Sequence, residues 1–76
     1  MAEDERVRIE VAFDGGQALG ALVAVAAADA LERALAAGED SAFTLEAEDG
    51  HYVVALRRVV FVKRFAREMR VGFGAI

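Results

Sequence analysis

The 76-residue sequence contains no cysteine, which removes disulfides and thiolate metal sites as sources of stability. It contains one histidine, His51, so no second imidazole exists to share a metal. Hydroxyl side chains are almost as scarce: apart from Tyr52 there are only Ser41 and Thr44. Ser41 lies in an acidic loop, Glu39-Asp40-Ser41, which does not suit a developing oxyanion, and no Gly-x-Ser-x-Gly elbow surrounds it. Long apolar runs are missing too. The longest, Ala18 to Ala28, spans eleven residues and stops at Asp29, whereas a membrane-crossing helix needs about 20. The chain opens on Met1-Ala2-Glu3-Asp4-Glu5, the reverse of the positive n-region of a signal peptide. No membrane segment and a cytoplasmic location are the resulting expectations.

What the chain does have is apolar residues, 57% of the total, enough to argue against disorder. Much of that figure is alanine, which buries little area per residue. A chain of this length buries only about 60% of the surface it exposes when unfolded. A single domain over 1–76 is therefore expected to sit near the lower limit of independent stability, and help from a second copy or a partner is plausible. Residues 1–5 read as a frayed arm, and 67–76 as a mobile or exchanged tail.

The net charge of −4 hides an asymmetry. Residues 1–50 carry twelve acids and three bases, and residues 51–76 carry six bases and one acid. Two such halves can attract each other within one fold, between copies, or towards a partner.

Along the chain, Arg6 to Phe13 alternates with Val7, Ile9, Val11 and Phe13 on one face, which predicts a strand with one buried and one wet side. Asp14-Gly15-Gly16-Gln17 then reads as a turn, its glycines supplying positive φ. Ala18 to Ala37 can be read in two ways. As one helix it would expose Leu22 and Val25 on the face of Asp29, Glu32 and Arg33. As a strand over Gln17 to Val25 followed by a helix from about Ala27 to Ala37, it points Leu19, Ala21, Val23 and Val25 inward, then Leu31 and Leu35, with Gly38 as the stop. The divided reading is favoured because Gly20 and two valines are poor helix formers.

The stretch from Phe43 to Phe65 holds most of the bulky apolar residues. Phe43–Glu48 has one apolar and one polar face, and Asp49-Gly50 reads as a tight hairpin turn. His51–Leu56 and Val59–Phe65 are apolar on both faces, with Arg57-Arg58 as the bend between them. In the second of these, Val59, Phe61 and Phe65 are assigned to the core and Val60 and Val62 to the other face. Strands of this kind are expected to be central or to lie at a subunit interface.

Motifs for chemistry are weak throughout. His51 would need Asp49 or Glu68 beside it to act as a base, and no spacing enforces that. Gly15-Gly16-Gln17-Ala18-Leu19-Gly20 follows a strand but lacks the pattern and the lysine of a phosphate loop. Glu46, Glu48 and Asp49 lack the spacing of a calcium loop. The basic cluster Arg57, Arg58, Lys63, Arg64, Arg67 and Arg70, with Phe61 and Phe65 interleaved, could hold phosphates and stack on bases. It carries no recognised nucleic-acid motif, however, and the whole chain is acidic.

The fold class expected is α+β, a small antiparallel sheet of four to five strands with one helix packed on one face, in the order ββαβββ, or βαβββ if Ala18–Ala37 is one helix. No enzymatic activity, cofactor or metal is expected. The expected function is a protein-interaction module that self-associates, with Val53, Ala55, Val60, Val62 and Phe73 at the contact, so that the partner is a second copy or another protein. The alternative is a nucleic-acid-binding module using the arginine cluster. A further use is peptide capture by strand addition at a free edge.

Overall fold

The computed structural model describes residues 5–66. They form an α+β fold of five strands and one helix in the order ββαβββ. β1 (Arg6–Phe13) and β2 (Ala18–Ala24) are an antiparallel hairpin in which Val7, Ile9 and Val11 face Val23, Ala21 and Leu19. The alternation in the sequence is the cause: these pairs share the buried side, while Arg8, Glu10 and Leu22 share the wet one. Gly15 and Gly16 turn the chain at φ 92° and 94°. The Phe13 N–H donates to the Gln17 carbonyl at 2.9 Å, and the Gly16 N–H donates to the Phe13 carbonyl at 3.2 Å.

β2 runs straight into α1 (Val25–Ala36). Ala24 ends the strand and serves as N-cap with extended backbone, and it has no side chain to cap with. The first helical N–H, that of Val25, donates instead to the Glu5 carbonyl at 3.3 Å. The other end is closed as a Schellman motif. Gly38, at φ 75°, donates to the Leu35 carbonyl and Glu39 to the Ala34 carbonyl, which satisfies the last carbonyls as the left-handed glycine position allows. Ala28, Leu31 and Ala34 are the buried helical residues. Their spacing of three keeps them on one stripe facing the sheets.

β3 (Ala42–Ala47) and β4 (Gly50–Ala55) form the second hairpin. Its loop is Glu48-Asp49, one residue earlier than the Asp49-Gly50 expected from the sequence. Neither loop residue takes positive φ, and Gly50 takes it instead, at 140°, in the first position of β4. The chain then passes through a 3₁₀ turn, Leu56–Arg58, where the bend was expected, into β5 (Val59–Arg64).

The five strands divide between two sheets rather than one. β2-β1-β5 is a three-stranded sheet and β3-β4 a two-stranded one. The Glu48 N–H donates to the Leu22 carbonyl at 2.9 Å and ties the second hairpin to β2. One core joins both sheets to the helix, with Ile9, Val11, Val23, Leu31 and Leu45 fully buried at its centre. None of the described helices is long and apolar enough to cross a membrane.

Two expectations are corrected here. Of the two places expected for the apolar strands β4 and β5, the centre of a sheet is excluded; each lies at the edge of its sheet, and the half-wet β1 occupies the middle of its own. A strand can be central in hydrogen bonding while one face of its sheet stays open to water, which is the case for β1. The second correction concerns which residues of β5 point inward. Val59 pairs with Phe13 and Phe61 with Ala12, so a bulge leaves Val60 as the extra residue. The bulge changes the parity of the strand. Val59 and Val62 both pack against the core, whereas Val60 and Phe61 are both exposed. Phe61, assigned to the core from the alternation, is 52% exposed.

Candidate interaction surface

Among the described residues, the large apolar side chains left in solvent concentrate on β4 and β5. Val53 is 67% exposed and Val60 64%, beside Phe61. Val53 lies on the outer face of the second hairpin opposite Thr44, with Ala55 opposite Ala42 on the same face. These are small neutral rows that no described helix or strand covers. Of the residues expected at a contact, Val53, Ala55 and Val60 are exposed, and Val62 is half-buried opposite Val11 on the core side. Phe73 lies outside the described residues. Phe61 joins the exposed set and was missed because nothing local in the sequence marks the bulge. The exposed residues of β4 and β5 belong to different sheets.

The outer face of the three-stranded sheet is mixed. One row across it is Ala18, Ala12 and Phe61, and the next is Gly20, Glu10 and Lys63. Leu22, 37% exposed, faces Arg8. Acid and base thus alternate with apolar side chains, and no single-sign field builds up there.

The four described cations of the basic cluster do not form one patch. Arg57 and Arg58 sit in the 3₁₀ turn before β5, whereas Lys63 and Arg64 lie at its far end on opposite faces of the strand. Arg58 donates to both carboxylate oxygens of Asp14, at 3.1 and 3.3 Å. Arg64 lies opposite the buried Ile9, on the helix side. It donates from Nη2 to Asp29 at 2.9 Å and from Nε to Glu32 at 3.0 Å. Both acids are on α1, so this guanidinium holds the helix to the sheet. These hydrogen bonds, to Asp29 first and Glu32 second, raise the Arg64 pKa above its already high ordinary value. Lys63 places its ammonium 4.5 Å from the centroid of the Phe65 ring, a cation–π contact. Of the four cations of this cluster that are described, Arg58, Lys63 and Arg64 are therefore engaged inside the fold. The acidic and basic halves of the chain meet within one molecule. Arg67 and Arg70 lie outside the described residues.

The arrangements that could support chemistry are sparse. His51 is exposed on the outer face of β4, opposite Glu46. Ser41 contributes its backbone carbonyl to the Leu56 N–H at 3.4 Å. The glycine-rich stretch after β1 is a hairpin turn leading into a strand, with no helix N-terminus behind it to receive a phosphate. Among the described residues, no group of three or more histidines or carboxylates is placed to hold a metal ion. A cleft of about 700 Å³ lies beside Arg6, Arg8, Val25, Arg64 and Phe65. Its described lining contains no carboxylate, histidine or hydroxyl, so no acid–base pair converges on it.

Tyr52 is the one group whose titration reports directly on the hairpin. Its hydroxyl donates to the Asp49 carboxylate at 2.8 Å, and that bond raises its pKa above the ordinary value of 10.0. The hydrogen bond needs the neutral phenol. The contribution is therefore intact below the unfolded value near 10.0 and is lost as pH rises through the higher folded value. Since the chain has a single tyrosine, ultraviolet absorbance against pH follows it without interference. The phenolate is expected to appear above the pH at which free tyrosine ionises, and Asp49→Asn should return it towards that pH. An unchanged midpoint in Asp49→Asn would rule out the bond in solution.

No protein-family model, no curated protein and no solved structure matches the chain.

Proposed function

We propose that the chain is a non-enzymatic interaction module that self-associates through its C-terminal strands. One observation carries this reading: Val53, Val60 and Phe61 stand more than half exposed on β4 and β5, while α1 is already packed against the core side of the sheets. Scattered single apolar residues are ordinary on a protein surface. Three large ones on two strands, in a chain this short, are better accounted for by a contact. The absence of cysteine fits a reducing, cytoplasmic setting. The nucleic-acid alternative draws less support, because Arg58 and Arg64 are spent on internal carboxylates.

Light scattering on purified protein at micromolar concentration tests the reading. A mass at a small multiple of 8.1 kDa is expected, falling on dilution. A constant mass of 8.1 kDa would reject it.

A further inference from the structure

β2 and β3 lie against each other where the two sheets meet, tied by the Glu48–Leu22 bond, so among the described strands β4 and β5 are left with an outward edge. Natural proteins blunt such edges with bulges and charged side chains, because an unpaired row of N–H and C=O groups templates another strand. β5 carries both devices, a bulge at Val60 and the cations Lys63 and Arg64. β4 carries neither. Its residues, Gly50-His51-Tyr52-Val53-Val54-Ala55, include no lysine, arginine or carboxylate, and its register with β3 is unbroken along all six pairs. Uncharged, unbulged and rich in strand-forming side chains, it is the unprotected edge among the described strands.

We infer that β4 pairs antiparallel with β4 of a second copy about a two-fold axis at Val53, merging two hairpins into one four-stranded sheet. The inference rests on the self-association proposed above and assigns its site to β4, with Val60 and Phe61 of β5 outside the contact. Sheet geometry limits the registers. Residues opposed across strands project to the same side, so the core-facing Tyr52 and Val54 can oppose only core-facing residues. His51, Val53 and Ala55 can likewise oppose only residues of the outer face. Centring on Val53 meets both conditions, with Tyr52 opposite Val54 and His51 opposite Ala55. It also has a particular electrostatic result. It brings the hairpin loop of each copy, which carries Asp49, towards the 3₁₀ turn of the other, which carries Arg57, twice by symmetry. Centring one step either way, on Tyr52 or on Val54, loses that match, since Arg57 then lies beside Ala47 or His51. Arg57 is exposed and has no ion-pair partner among the described residues, so it is the cation left for this use.

The absence of native cysteine makes the register directly testable. Opposed residues in an antiparallel pair have Cα atoms about 4.5–5.5 Å apart, inside the range of about 4.4–6.8 Å that a disulfide spans. Under mild oxidation Val53→Cys is expected to give a covalent dimer, and Val60→Cys, on the bulged edge, much less. Reversing one charge, Arg57→Asp, should weaken the dimer about 10-fold by opposing like charges at two symmetric places. The swap Asp49→Arg with Arg57→Asp should restore it. Circular dichroism confirms folding of each variant. A dimer by mass in which Val60→Cys links and Val53→Cys does not would overturn this register while leaving self-association standing. A charge reversal without effect, or one not rescued by the swap, would also count against it. A monomer at every concentration would reject both readings together.

Discussion

Replacing Leu31 by alanine is expected to cost about 2–5 kcal/mol, the range for truncating a fully buried leucine, and to leave the domain at the limit of folding. Leu31 has no solvent exposure. Its buried companions on the helix are Ala28 and Ala34, so it is the one large side chain of α1 that is fully buried, with Leu35 packed half-buried beside the core. A domain of this size has roughly 4–11 kcal/mol of total stability at about 0.05–0.15 kcal/mol per residue. The loss is thus comparable to the whole. Urea unfolding followed by circular dichroism, at one fixed protein concentration because any association adds to stability, should show the midpoint falling by about 1–5 M if the slope is near 1–2 kcal/mol/M. Leu31→Met keeps the volume and should cost less than about 1.5 kcal/mol. A loss under about 1 kcal/mol for the alanine variant, well below the usual range, would mean that the helix is held elsewhere.

The second large effect contrasts two glycines. A Cβ added at Gly16 would meet nothing within 4 Å, yet the backbone there is at φ 94°. Gly16→Val should therefore lose about 1–3 kcal/mol through backbone strain alone. Gly20 also has open space around it and no positive φ, and it stands in β2 opposite Glu10. Gly20→Val should be neutral or stabilise by up to about 1 kcal/mol, because glycine is a weak strand residue. Equal effects at the two positions, read from the same urea curves, would contradict the conformational account.

How much of this was legible in the sequence depended on whether the signal was local. The alternation of Val7, Ile9 and Val11 marks β1, and Gly38 marks the end of the helix, because each is set by residues within a turn or two. The start of the helix, expected near Ala27, lies at Val25. Ala24 caps it without a side-chain signal, and the Val25 N–H is satisfied by the distant Glu5 carbonyl. The bulge at Val60 was invisible for a related reason. It is created by the register against Phe13 and Ala12, and a run such as Val59-Val60-Phe61-Val62 fits either parity equally well. The ion pairs of Arg64 depend on bringing β5 beneath α1, so composition showed only that opposite charges were available. Of the candidate surface, the exposed positions Val53 and Val60 could be read from two-sided apolarity, and Phe61 and Val62 exchanged roles through the bulge.

The direct passage from β2 into α1 has a consequence for how firmly the fold is specified. With no loop between them, the strand and the helix are geared together. Sliding β2 by one residue against β1 would turn every strand side chain to the opposite face. The same slide would rotate the helix contacts by about 100°, one residue's share of a 3.6-residue turn. Leu31 would leave the core at the same moment as Val23 and Ala21. A loop could absorb such an error by changing shape, and Ala24 cannot. The alanine-rich segment, which has the least distinctive side chains in the chain, is thus kept in place by the two strongest periodicities acting on one another.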